Sequence, residues 1–180
     1  MRGVCMEKTE QSLLPEVILD SGPIIHLDEL DCLQLLADFK TLLIPQAVLK
    51  EVERHRPSAL NINKLPYKTA PAMEYMNSHV ELLCNAFSLD EGEIQAIALC
   101  LKQPNSILLT DDAAARLAAK TIGIRAYGTI GMLLRSIRRK QLTPVRVIKL
   151  LEDIPLKSTL YIKHTLLQNI IEEVKKEYSL

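Results

Sequence analysis

The sequence predicts an α/β fold with a central parallel sheet of four to five strands flanked by helices. Two observations carry that expectation. Short apolar runs of strand length alternate with longer stretches of helical period along the chain. Glycine, proline and capping residues fall at the joins between them, which is how a β-α-β succession is punctuated. No internal repeat or low-complexity tract interrupts the pattern.

The first strand is expected at "EVILD", 16–20, followed by the turn Ser21-Gly22-Pro23 and a helix from about Ile24. A second helix is expected over "LDCLQLLADF". The strand "TLLI", 41–44, then leads to Pro45, placed at the start of a helix running to about Arg54, where a missing N–H costs nothing. Residues 55–78 hold Pro57, Pro66 and Pro71 and take no assignment from pattern alone. "HVELL" reads as a third strand. Ser88-Leu89-Asp90-Glu91 matches a capping box opening the helix "DEGEIQAIALCLK". "SILLT" is the fourth strand, an alanine-rich helix closed by Gly123 follows, and "IRAY" is a short fifth strand. Gly128-Thr129 introduces the helix "IGMLLRSIRRK", and further helices fill the C-terminus.

At 180 residues, close to half of them apolar, one domain with a sizeable core is expected. The divisions expected are a tail over 1–15, the domain proper over 16–151, and a helical extension over 152–180 packed on it. No apolar run reaches the length of a membrane helix, and residues 1–17 lack the apolar segment of a secretory signal. Cys5, Cys32, Cys84 and Cys100 show no metal-ligating spacing, so reduced thiols in a cytoplasmic protein are expected. Net charge is zero, which excludes a protein basic all over. The balance is uneven, however. Between Ala113 and Leu151 there are nine Lys and Arg and no Asp or Glu. A basic half beside an acidic pocket suits a protein that handles a polyanion, although solvated helix faces give the same count.

The acids themselves are placed with more purpose. Asp20 ends the first strand, and Asp111 and Asp112 end the fourth. In open α/β sheets ligands bind outside the carboxyl ends of the strands. Glu93 lies in the first turn of its helix, and Glu51 shares a helix face with Val48, so both can lean over the same sheet edge. Converging carboxylates repel one another, and one would take up a proton unless a cation stood between them. Hard Mg²⁺ or Mn²⁺ accepts carboxylates, keeps waters and binds phosphate oxygens alongside. Metal-dependent phosphodiester hydrolysis is the chemistry this donor set suits.

"VILDSGPIIHL", "LIPQAVLKEV", "LDEGEIQAIALCL" and "ILLTDDAAARLAAKTIGIRAYGTIGMLL" together resemble the PIN-domain nucleases, with a likeness spanning about residues 16–151. The likeness is nearest to a prokaryotic PIN-like subgroup carrying an L-D-x-G-E-x-x-A-I-A-L signature. The resemblance implies a three-layer PIN-like fold and a Mg²⁺ or Mn²⁺ site. It implies that Asp20, Glu51, Glu93, Asp111 and Asp112 are catalytic, and that Asp20, Glu93, Asp111 and Asp112 ligate the metal. Ser21 and Thr110 would support them from behind. Many members are ribonuclease toxins of the VapC type, so an RNA substrate, a small antitoxin partner and a homodimer are implied, with no membrane. One departure stands out: the family commonly places a hydroxyl two residues after the first aspartate, and this chain has Gly22 there.

Each residue also has a plainer role available. Asp112 can cap its helix and pair with Arg116, Asp20 can close an Asx-turn, and Glu51 can belong to the charged run "KEVER". Arg116, Arg135, Arg138 and Arg139 are placed to bind nucleic-acid phosphates, or to solvate helices. The four histidines share no spacing that suggests catalysis. A PIN-like domain that binds RNA or a protein without turnover is the alternative reading, with Gly22 as its support. A phosphoryl-accepting receiver domain fits poorly, because the acid pair follows the fourth strand and "IRAYG" offers no lysine.

Overall fold

The computed structural model describes residues 15–61, 63, 65–71 and 77–180. Cys5 and the expected N-terminal tail, apart from Pro15, lie outside them. Strands β1 (Glu16–Leu19), β2 (Thr41–Pro45), β3 (Lys68–Ala70), β4 (Ile107–Leu109) and β5 (Ala126–Tyr127) form one all-parallel sheet in the order β3-β2-β1-β4-β5. The chain builds outward from β1 to β3 on one side and returns to add β4 and β5 on the other. The order therefore reverses between β1 and β4, the place where a parallel sheet opens a crevice at its carboxyl edge.

The helices are α1 (Ser21–Glu29), α2 (Gln46–His55), α3 (Ser78–Ala86), α4 (Glu91–Lys102), α5 (Ala113–Thr121), α6 (Thr129–Arg138), α7 (Pro144–Lys157) and α8 (His164–Glu177). Strand alternation sorts the core onto two faces. Val17, Leu19, Ile107 and Leu109 pack with α1, α6, α7 and α8, while Ile18 and Leu108 pack with α3, α4 and α5. Both faces of the sheet are covered, as an all-parallel sheet requires. Gly123 closes α5 at φ +78°, a left-handed position that favours glycine.

Several elements differ from the sequence expectation. "HVELL" is helical, within α3: Val80, Leu83, Cys84 and Phe87 follow the helical spacing and reach one core cluster, and Asn77 caps the helix by accepting from His79 N–H. The third strand comes instead from Lys68–Ala70, inside the stretch that resisted assignment. The helix expected over "LDCLQLLADF" shortens to a single 3-10 turn, Leu33–Leu36. Ser88 is no cap: it sits at φ +53° in the preceding turn, and Asp90 takes the N-cap of α4. The expected boundary after Leu151 falls within α7, which continues to Lys157, and Leu167, Ile171 and Val174 of α8 join the core of the sheet's face. No helix among the described residues is long and apolar enough to cross a membrane. Cys32, Cys84 and Cys100 are free and buried.

Candidate active site

Asp20 stands where β1 hands over to α1. Its backbone N–H donates to Leu109 O at 2.9 Å, which carries the β1–β4 ladder one residue past the strand and fixes the side chain at the sheet edge. The residue is 7% exposed. It accepts from Ser21 N–H at 2.8 Å and from the Thr110 hydroxyl at 2.7 Å. Burial pushes its pKa up to about 6; the two hydrogen bonds oppose that rise, and the charges of Asp90 and Glu51 add to it.

Thr110, fully buried, joins the two sides of the crevice. While its hydroxyl donates to Asp20, the same oxygen accepts from Asp112 N–H at 3.1 Å. Asp112 caps α5 through a 2.8 Å bond from Ala115 N–H and remains exposed. Arg116 makes no ion pair with it among the described residues, so the i+4 pairing available to the sequence is not formed.

Glu93 and Asp90 meet at the start of α4 in a reciprocal capping box. Asp90 Oδ1 accepts from Glu93 N–H, and Glu93 Oε2 accepts from Asp90 N–H, each at 2.9 Å. Burial raises the Glu93 pKa to about 7. The Asp90 N–H bond opposes that rise, and the charges of Asp90, Asp112 and Asp20 reinforce it. Glu91, the residue assigned to the box from sequence, instead accepts from Gln95, whose own side-chain oxygen accepts from Ala47 N–H and ties α4 to the start of α2. Gly92 lets the two helices close. A Cβ there would lie 3.2 Å from Val48 Cγ2, 3.3 Å from Asp90 Oδ1 and 3.7 Å from Glu51 Oε2. Glu51 thus faces the same crevice.

The mutual charge effects place Asp20, Glu51, Asp90, Glu93 and Asp112 around one space. Asp90 is the member that sequence reasoning missed. Its signal was present as a second box, D-x-x-E, two residues inside the one chosen.

Asp111 faces elsewhere. Its Oδ2 lies 2.8 Å from His26 Nδ1 and 2.6 Å from Thr129 Oγ1, and its Oδ1 accepts from Thr129 N–H at 2.7 Å. It caps α6 and anchors α1, and it is absent from the charges that raise Asp20 and Glu93. Gly128 is required beside it, because a Cβ would stand 2.5 Å from Asp111 Oδ1 and 2.9 Å from Arg116 Nη1. The arginines divide similarly. Arg135 and Arg139 both bind Asp38, and Arg135 also lies 4.2 Å over the Phe39 ring. Arg138 is exposed and makes no ion pair among the described residues.

As the side chains stand, no three His, Cys, Asp or Glu among the described residues close into a metal-ligating cluster. The chemistry of the donors nevertheless fits a hard divalent ion. All five groups are carboxylates, the charges of their neighbours help to raise the pKa of Asp20 and Glu93, and none is in an ion pair among the described residues.

An all-parallel α/β protein with uncompensated carboxylates at its switch point belongs to the general class of anion- or metal-handling folds. A family model of a PIN domain, DUF3368, matches residues 16–176, and the chain belongs to that family. No curated protein matches the sequence. PIN domains are generally nucleases that act on RNA and typically depend on divalent metals.

Proposed function

We propose that this chain is a Mg²⁺- or Mn²⁺-dependent endoribonuclease whose cation sits among Asp20, Glu93, Asp112 and Asp90, with Glu51 at the rim. The carrying observation is the set of carboxylates around Asp20 that have no cationic partner among the described residues. When bound, the cation supplies positive charge to phosphate oxygens and acidifies the attacking water. Asp20 is the fixed donor, held by Ser21 and Thr110 so that one orientation of the carboxylate persists. Glu93 and Asp112 come from two helix N-termini and complete the charge. Glu51, further from the capping network, is placed to orient water. Arg116 and Arg138 carry the positive charge that would hold the RNA backbone, while Arg135 and Arg139 stay with Asp38. Asp111 is left out of the donor set because its oxygens are already engaged.

A toxin role with a small antitoxin partner, and a homodimer, belong to the same proposal and are supported by the motif resemblance alone. The alternative, a domain that binds without turnover, is favoured by Gly22, which lacks the family's hydroxyl. Space for that hydroxyl exists: a Cβ at Gly22 would meet only ordinary contacts, 3.5 Å from Asp111 Cβ and 3.6 Å from His26 Cε1.

The test is cleavage of mixed-sequence RNA with Mn²⁺ by the wild-type chain and by Asp20→Asn. The proposal expects cleavage by the former and a loss of at least about a hundredfold in the latter, since even groups supporting a ligand cost 10–100-fold. Equal cleavage by both overturns the site. Metal binding by the wild type with no cleavage of any RNA selects the alternative.

A further inference from the structure

A groove of about 380 Å³ runs along α6 beside β4 and β5, separate from the carboxylate crevice. Ile107, Met132 and Phe39, all buried, form its floor. Its rim carries Arg125, Arg138, Tyr127 and Pro15, and no Asp or Glu among the described residues lines it. Arg135 and Arg139 also reach the groove, but Asp38 offsets part of their charge and the Phe39 ring fixes Arg135. Arg125 donates to the Asn105 carbonyl, a contact that orients its guanidinium, and it makes no ion pair among the described residues.

Tyr127 links the groove to the crevice. It pairs with Leu109 across the β4–β5 ladder, and its carbonyl accepts from Thr110 N–H at 2.9 Å. Thr110 is the residue whose hydroxyl holds Asp20. The tyrosine, on the edge strand, is 47% exposed, and it stands beside Gly131, which presents bare backbone. An exposed ring at one end, unpaired arginine at the other and an apolar floor between suit a ligand with both π-faces and negative charge. A single nucleic-acid strand has both, in alternation.

We propose that this groove is a binding subsite for single-stranded RNA, with a base stacked on Tyr127 and backbone phosphates on Arg138 and Arg125. The proposal rests on the nuclease reading for the identity of the strand, and on charge complementarity for its occupancy.

The experiment measures fluorescence anisotropy of a labelled ten-nucleotide mixed-sequence RNA with the full-length chain in EDTA, over a range of salt. Tyr127→Ala should weaken binding about tenfold and Tyr127→Phe should bind like the wild type, since stacking needs only the ring. Arg138→Ala should lower the slope of log affinity against log salt by roughly 0.7, the value for one phosphate contact on a single strand. Circular dichroism confirms folding of these surface variants. Unchanged affinity in both alanine variants overturns the proposal, as does an absence of RNA binding by the wild type at low salt. Self-association of the wild type that Tyr127→Ala abolishes, with RNA binding intact, would overturn it by assigning the groove to a second copy. Cleavage of the same RNA with Mn²⁺ is read in parallel: binding through the groove without cleavage sinks the catalytic reading alone, and cleavage with unaffected variants sinks the groove alone.

Discussion

Asp111 and Asp112 are adjacent in the chain and belong to two unlike environments. On the α6 side, Asp111 is answered by protein groups at every turn: a histidine ring, a hydroxyl and a backbone N–H. On the α4–α5 side, the charges of Asp112 and Asp90 help to raise the proton affinity of Glu93, Asp90 adds to that of Asp20, and none of the four is in an ion pair among the described residues. The first environment completes a structure with a carboxylate. The second leaves negative charge in excess, which lowers stability unless something from outside is bound. Between them stands Thr110, whose backbone serves β5 and whose hydroxyl serves the crevice.

The largest expected consequence is a pH-dependent instability confined to the crevice. Asp20 has a folded-state pKa of about 6 and Glu93 of about 7, both above the ordinary carboxylate range. Folding therefore binds protons, and the stability these groups contribute is fully present below about pH 4 and lost as pH rises through 6 and 7. In metal-free protein, Asp20→Asn removes its share. Its advantage over the wild type in urea unfolding should grow between pH 4 and pH 7 to roughly 3 kcal/mol, from about two pKa units at 1.4 kcal/mol each. A pH-independent difference would erase the contrast between the two environments.

Asp111→Ala should act in the opposite sense. It leaves Thr129 N–H and its hydroxyl without their acceptor and uncaps α6, so a loss of about 2 kcal/mol is expected at neutral pH. Differential scanning calorimetry at pH 7 checks this; a gain in stability would show that Asp111 belongs with the crowded acids. A smaller effect is expected from Thr110→Val, which keeps the shape and removes the hydroxyl. Mn²⁺ affinity in isothermal titration should fall about tenfold, the lower end for groups that orient a ligand, and unchanged affinity would remove Thr110 from its supporting role.

Much of the architecture was legible because its signals were local. The apolar runs of β1, β2 and β4 and the switch at their carboxyl ends follow from residues a few positions apart. Strand β3 was not, since Lys68-Thr69-Ala70 is a short edge strand with two exposed polar residues and no apolar period. The helix at "HVELL" escapes the pattern because five residues are too few to separate a period of 2 from one of 3.6; the apolar set becomes helical once Cys84 and Phe87 are included. The division between the paired aspartates was hidden for a different reason. Asp111's partner His26 lies 85 residues away, and nothing near Asp111 in sequence announces it. Asp90 was within reach, but Ser88 offered a more familiar cap two residues too early.

The account stands most directly on a Mn²⁺ titration of three full-length proteins at pH 7.5: wild type, Asp20→Asn and Asp111→Asn. It predicts saturable binding by the wild type, binding lost in Asp20→Asn, and binding retained in Asp111→Asn. Retention in Asp20→Asn together with loss in Asp111→Asn would place the cation on the wrong side of Thr110 and contradict it.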